Sequence, residues 1–207
     1  MQRETDKKAC VRIRNPQKTR TLLIDAAFYE IYQNGYQAAD LASILARSGL
    51  TKGALYHHFA SKELLGFAVI DDVLAAHLCE TWLIPLSSEQ NPIECLITIL
   101  NNPSRLISEV RLGCPINNLS QEMSPLDEGF RLRLATLFKK WILGLGEALR
   151  RGQAKGLVKA DIQPFEVAAN FVATYEGYVS LAKTAQDDDV FALGLRQLCL
   201  LAKGFRP

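Results

Sequence analysis

The fold of this chain is decided by one stretch, GLTKGALYHHFASKELL, which runs from Gly49 to Leu65. Thr51 is a typical helix N-cap, and Leu55 and Phe59, four residues apart, can face a core. Five residues of this short segment then stay outside, and they are small, hydrogen-bonding, cationic or phenolic: Thr51, Lys52, Gly53, Tyr56 and His57. Such a surface suits DNA, which presents phosphates and readable base edges.

A second short helix precedes this one. Asp40 can cap it, Ile44 can face the core, and Gly49 ends it. A helix, a glycine turn and a polar-faced helix together form the helix-turn-helix arrangement. We therefore assign Ile44, Leu55 and Phe59 to the core and expect the outer residues to contact DNA.

Charge is distributed unevenly along the 207 residues, although the net charge is only +2. Residues 1–63 hold ten Lys and Arg against six Asp and Glu, and residues 64–207 hold fourteen against sixteen. A basic N-terminal third indicates an anionic partner for that part alone. Residues 1–15 are charged and lack a pattern, so we expect a flexible basic arm, either a solvated tail or an arm that seeks phosphates or the minor groove.

Several classes of protein do not fit the sequence. It contains no apolar run of about 18 residues, so we expect no membrane span. The first 15 residues lack the apolar region of a signal peptide. Cysteines are odd in number, widely spaced and without a C-x-x-C pair, which favours reduced thiols in the cytoplasm; they are Cys10, Cys79, Cys95, Cys114 and Cys199.

Apolar spacing predicts helices throughout, and the fold class is all-α. Pro16 begins a first helix, and Ser61 opens a long fourth helix. The fourth helix runs from Lys62 into the low eighties, where Pro85 stops it. Helices bearing apolar seams follow and fit bundle packing. Their seam residues are Phe130, Leu134, Leu137, Trp141, Leu145 and Ala148, then Phe165, Ala168, Val172, Tyr175, Val179 and Ala182, then Phe191, Leu195, Leu198 and Ala202. We expect a DNA-binding domain over 16–63 and a larger domain over 64–207.

The combination of Gly35-Tyr36, Ile44, GLTKGALYHHF from Gly49 and the Ser61-Lys62-Glu63 ending resembles the TetR/AcrR family of bacterial repressors. The resemblance covers about residues 16–65. It implies an all-helical homodimer whose C-terminal domain binds a small effector and dimerises through its last two long helices. It also implies that Lys62 faces the DNA backbone. The stretch from Gly113 to about Gly156 is similar to one subgroup of these regulators.

The predicted DNA contacts are Thr51, Lys52, Gly53, Tyr56, His57 and Lys62. Lys52 can meet phosphates or base acceptors, and Tyr56 can donate its hydroxyl to a phosphate. Small residues such as Gly53 allow the helix to lie deep in a groove. Two copies of the helix, related by a two-fold axis, require a pseudo-palindromic operator with half-sites about 34–36 Å apart or slightly more.

The body can form a pocket with apolar walls and a few polar points, which suits a small effector. Candidates for effector binding are Trp82, Cys114, Asn117, Trp141 and Tyr175, with Asn118, Glu122 and Glu176 beside them. Ordinary core packing is the competing interpretation of each. Effector binding would change the separation of the two DNA-binding domains of the dimer, and the fourth helix would transmit this change.

Cys114 supports an alternative function. It lies between Gly113 and Pro115, at an interruption between helices. The resemblance implies that a cysteine at such a Gly-Cys step can sense electrophiles or oxidants, which requires a stabilised thiolate. A small buried hydrophobe is the competing interpretation.

Other hypotheses remain in view. An enzyme is disfavoured because no nucleophile-base grouping, phosphate loop or metal cluster is visible, and we expect no cofactor. Adjacent His57 and His58 point about 100° apart on a helix, which disfavours a metal site. A regulator controlled by a protein partner, or an activator in place of a repressor, stays open.

Overall fold

The computed structural model describes residues 16–106 and 109–207, apart from the side chain of Arg105. Residues 1–15, with the predicted arm and Cys10, lie outside the described residues. The described part is helical, without a strand, and confirms the all-α fold class. The helices are α1 Pro16–Asn34, α2 Leu41–Ser48, α3 Lys52–His58, α4 Lys62–Ala68, α5 Ala75–Leu78, α6 Ile84–Ser88, α7 Pro92–Leu100, α8 Pro103–Leu106, α9 Pro115–Met123, α10 Glu128–Ala154, α11 Pro164–Ala185 and α12 Asp188–Lys203.

Side chains cap α2, α3 and α4 as the sequence predicts. Asp40, Thr51 and Ser61 each accept a hydrogen bond from the backbone N–H three residues further on, at 3.1–3.2 Å. Such caps satisfy N–H groups that have no partner inside the helix. Gly49 ends α2 with a φ of +66°, in the left-handed region that glycine adopts without a steric penalty.

Residues 16–63 are called the head below, and residues 64–207 the body. The division between them remains a prediction. Ile44, Leu55 and Phe59 are buried in the head, with exposed fractions of 1%, 1% and 5%. They belong to a core that also includes Leu23 and Ala27 of α1. The predicted core residues of the head are therefore confirmed.

A connecting helix joins head and body. It comprises α4, α5 and α6, linked by π-helical segments at Val69–Leu74 and Cys79–Leu83, and it continues to Ser88. The prediction that Pro85 stops this helix is wrong. Pro85 lies in the first turn of α6, directly after a π-helical turn in which the Ile84 N–H bonds to the Cys79 carbonyl. Its missing N–H therefore falls where the hydrogen-bond ladder changes register, and the chain tolerates it.

The body is a bundle in which α10 packs on α11 and α11 packs on α12. The predicted seams of α10, α11 and α12 are buried, except that Phe165 is 38% exposed. Phe165 nevertheless lies against Gly146 of α10, where an added Cβ would be 2.3 Å from its ring. Within the described ranges, no helix combines the length and apolarity needed to cross a membrane.

Candidate nucleic-acid interface and body cavity

The outer surface of α3 carries the predicted DNA contacts. Lys52, Gly53, Tyr56 and His57 are all exposed, as is Thr51 at the N-cap. Tyr56 leaves 47% of its surface open, although it is a large aromatic residue. The structure thus brings five of the six predicted residues together at the free side of one short helix.

Thr51 and Lys52 keep hydrogen-bonding capacity in this position. The Thr51 hydroxyl oxygen accepts the N–H of Ala54 at 3.2 Å, so its own O–H proton remains available to a DNA phosphate. The Lys52 ammonium lies 5.9 Å from the centre of the Tyr56 ring. A cation and a phenol one helical turn apart therefore face the same side of α3.

No packing contact with the described residues requires a glycine at position 53. Among the described residues, a Cβ added there would meet only the Thr51 hydroxyl oxygen, at 3.9 Å. Glycine inside a helix costs about 0.5–1 kcal/mol relative to alanine. A destabilising residue at an open, exposed position fits a surface that another molecule must approach closely.

Lys62 has a structural contact that sequence reasoning did not anticipate. Its ammonium donates to the carbonyl oxygen of Gln37 at 3.2 Å and lies 4.9 Å from the Tyr36 ring. It therefore supports the turn between α1 and α2. Its predicted contact with DNA stays a prediction.

Sequence reasoning also missed Arg47. Its guanidinium lies 3.4 Å from the centre of the Tyr29 ring, and both residues are exposed. Stacking on an aromatic ring holds a guanidinium in place without neutralising it. The sequence signal for Arg47 was its position in the last turn of α2, shortly before α3.

In the body, three predicted effector residues form a closed aromatic cluster. Ring centres of Trp82 and Trp141 are 4.9 Å apart, and the Tyr175 ring lies 5.2 Å and 5.6 Å from them. All three residues are buried. Within the described part, the Trp141 indole N–H has no hydrogen-bond partner.

Cys114 and Glu176 lie next to each other beside this cluster. Burial, reinforced by the charge of Glu176, raises the pKa of the Cys114 thiol well above its usual range. Burial also raises the pKa of Glu176 to about 7, although the polar groups of Cys114 and Asn117 partly oppose this shift. The thiol is thus held in its protonated form, which is the opposite of what a reactive sensor cysteine requires.

A cavity of about 830 Å³ lies between head and body. Its walls come from the end of α1, the connecting helix, the segment from Arg111 to Glu122, and the end of α11. Asn117, predicted as an effector residue, lines this cavity, whereas Trp82, Trp141 and Tyr175 do not. The predicted pocket is therefore two features, a filled aromatic cluster and a separate amphipathic cavity.

The body holds the end of α1 at several points around this cavity. Glu122 accepts the backbone N–H groups of Tyr36 and Gln37, both at 2.8 Å. The Tyr32 hydroxyl donates to the carbonyl oxygen of Gly113 at 2.6 Å. Movement of the segment that carries α9 would consequently displace the end of α1 and the turn that leads into α2.

Metal binding finds no support in this part of the chain. Among the described residues, no group of three or more His, Cys, Asp or Glu side chains is placed to hold a metal ion. The adjacent rings of His57 and His58 are 5.2 Å apart.

The fold and the exposed α3 surface define the chain as a helix-turn-helix DNA-binding protein with a helical regulatory body. Residues 23–69 match the family described as bacterial regulatory proteins, tetR family, and residues 92–198 match the tetracyclin repressor-like C-terminal domain. The chain belongs to the TetR family of transcriptional regulators. This family is a class of transcription regulators rather than of enzymes.

Individual relatives agree with this assignment. An uncharacterized HTH-type transcriptional regulator from Lactococcus lactis is 30% identical, over 85% of this chain and 89% of its own length. The HTH-type transcriptional repressor DhaR of Mycobacterium sp. is 26% identical, over 76% of this chain and 78% of its own. The crystal structure of regulatory protein TetR from Rhodobacter sphaeroides has a TM-score of 0.74 at 26% identity, covering 88% of this chain and 98% of that one.

Proposed function

We propose that this regulator is a repressor that binds a pseudo-palindromic operator as a homodimer and leaves it when a small effector binds the body. One observation carries the DNA part of the proposal. The exposed residues of α3 are the ones that carry hydrogen-bond donors, a cation and a phenol. Gly53 among them destabilises the helix, although no packing contact with the described residues requires a glycine there. Such a regulator works on chromosomal DNA, in the cytoplasm.

Dimerisation through α11 and α12 is part of the proposal. Leu181 and Leu200 are 60% and 58% exposed on these two helices. Gly177 of α11 has open space at its Cβ position, which would let a second helix approach closely. Burying such residues against a second copy would gain about 25 cal/mol for each Å² of apolar surface.

A small effector is favoured over a protein partner by the cavity between head and body. Its volume of about 830 Å³ falls within the range of small-molecule sites, roughly 300–1,000 Å³. The electrophile-sensing alternative through Cys114 gains no support, because burial keeps its thiol protonated. Predicted effector residues Trp82, Trp141 and Tyr175 belong to this proposal as packing behind the cavity.

Selection of bound duplexes from a random DNA library, using the full chain, tests the proposal. We expect a two-fold symmetric sequence bound by two protomers, with half-sites about one helical turn apart. The affinity should fall steeply with salt, since Lys and Arg displace counterions from phosphates. Phosphate contacts typically cause a large loss of affinity between about 50 and 200 mM salt. Binding without sequence preference, or an affinity that stays unchanged over this range, would contradict the proposal.

A further inference from the structure

The cavity between head and body is lined by both apolar and polar side chains. Phe28, Ile31 and Leu74 are among the apolar ones. Asn118 and Lys183 are among the polar ones. A space lined in this way fits an amphipathic small molecule.

Lys183 is one of the two cations among the described residues that line the cavity. Its ammonium donates to the Asn118 side-chain oxygen at 2.8 Å, and among the described residues it forms no ion pair. Its aliphatic stem rests on Gly113, where an added Cβ would lie 2.9 Å from Lys183 Cδ. The half-buried cation is thus held in one place, without an ion-pair partner in the described part of the chain.

Among the described residues, the other charged groups at and near the cavity form no ion pair with Lys183. Arg111 also lines it, and the ion pair of Arg111 with Glu109 at 2.8 Å is about half exposed, so a ligand can compete with it. Glu122 lines the cavity too, but its two oxygens are occupied by the backbone N–H groups of Tyr36 and Gln37. Buried Glu176 lies behind Asn117, and its pKa of about 7 reduces its negative charge at neutral pH.

We propose that this cavity is the effector site and that the effector is a small organic anion with an apolar body, its acid group bound by Lys183 and Arg111. The inference rests on the proposed function and deepens it, because it names the chemical class of the effector. A carboxylate would supply the counter-charge that Lys183 lacks, through a charge-assisted hydrogen bond.

The same contacts connect the site to the head. Asn118, which holds Lys183, also donates its amide N–H to the Leu112 carbonyl at 2.6 Å. The carbonyl oxygen of the next residue, Gly113, accepts a hydrogen bond from the Tyr32 hydroxyl of α1. A ligand that draws Lys183 away from Asn118 would therefore move the segment that holds α1. This movement would change the spacing of the two heads in the dimer.

The test uses probes that share a shape and differ in charge. Benzoate, benzamide and benzylamine, together with straight-chain carboxylates from acetate to decanoate and their amides, are titrated into the full chain without DNA. Binding is followed by calorimetry and by the melting temperature. Because no DNA is present, a failure of anion binding is distinguishable from a failure of operator recognition.

We expect at least one carboxylate to bind at least tenfold more tightly than its matched amide or amine. Lys183→Met should lower that affinity roughly tenfold or more, while Lys183→Arg should retain most of it. Lys139→Met, at an exposed position of α10 outside the cavity, is the matched control and should change nothing. Preference for the amine, equal binding of carboxylates and amides, no binding by any carboxylate, or full affinity in Lys183→Met would overturn the proposal.

Discussion

Glu122 Oε2 lies 2.8 Å from the backbone nitrogen of Tyr36, so that α9 of the body holds the turn leading from α1 into α2. The second carboxylate oxygen accepts the N–H of Gln37 at the same distance. A carboxylate that accepts two backbone N–H groups forms a strong, charge-assisted contact. The orientation of the head thus depends on the position of α9.

This contact makes a prediction at Gly35. Gly35 has a φ of +83°, and an added Cβ would lie 3.1 Å from a Glu122 oxygen; Gly156 has a φ of +68° and open space. Both glycine-to-alanine changes should destabilise by about 1–2 kcal/mol through the left-handed backbone. Gly35→Ala should cost roughly 1 kcal/mol more, because the Glu122 carboxylate must shift.

Urea unfolding of the two variants, each also made in a Glu122→Ala background, measures this coupling. The extra cost of Gly35→Ala should disappear when Glu122 is absent, while the cost of Gly156→Ala should stay the same. If the two glycines respond alike in both backgrounds, Glu122 does not hold the turn in the way described.

Gly53 should separate stability from function. Gly53→Ala should raise the free energy of unfolding by about 0.5–1 kcal/mol, since alanine favours a helix and the added Cβ has space. The same change should weaken operator binding, because the Cβ stands between α3 and the groove. Melting temperature and operator titration are measured on the same preparation. A stabilised variant with undiminished operator affinity would show that the close approach at Gly53 does not occur.

The dimer interface can be tested on exposed leucines. A Leu181→Asp and Leu200→Asp double variant should be monomeric at micromolar concentration, because it places charges in an apolar interface. Sedimentation equilibrium reads the mass directly. Leu126→Asp is the matched control, since Leu126 is 59% exposed but precedes α10, and it should leave the dimer intact. A dimer that survives the double variant would place the interface elsewhere.

Glu176 should make stability depend on pH. Its pKa is about 7 in the folded chain against an ordinary value of 4.5, so between these values the folded state binds more protons than the unfolded state. Stability contributed by the protonated group is therefore complete below pH 4.5 and is lost as the pH rises through 7. The total effect is roughly 3 kcal/mol.

Glu176→Gln should accordingly stabilise the chain at pH 8 relative to wild type, and by clearly less at pH 5. Unfolding at fixed protein concentration at both pH values measures the difference. Glu166→Gln, at an exposed position of the same helix, serves as the control and should not alter the pH dependence. Parallel pH profiles for wild type and Glu176→Gln would mean that Glu176 is already charged in the folded chain.

Local chemistry explains what the sequence could predict. Caps at Asp40, Thr51 and Ser61 depend on contacts three residues away, and Gly49 acts through its own φ. The outer residues of α3 follow from helical spacing once Leu55 and Phe59 are assigned to the core. All of these features lie within one or two turns of the residues that determine them.

Features that depend on distant contacts could not be predicted in this way. Glu122 and Tyr36 are 86 residues apart, and nothing in their neighbourhoods indicates that they meet. Pro85 appeared to stop a helix because the π-helical turn before it leaves no sequence signature. The pocket residues were chosen by type, and only tertiary packing separates the closed cluster around Trp141 from the cavity at Asn117.

The central claim, that α3 reads base pairs, is tested most directly by the ratio of operator affinity to affinity for a random duplex. We expect wild type to bind its operator at least roughly 10³-fold more tightly than random DNA. Lys52→Ala should reduce this ratio about tenfold or more, whereas Lys62→Ala should lower both affinities alike and leave the ratio unchanged. A ratio that Lys52→Ala does not alter would contradict the assignment of α3 as the reading helix.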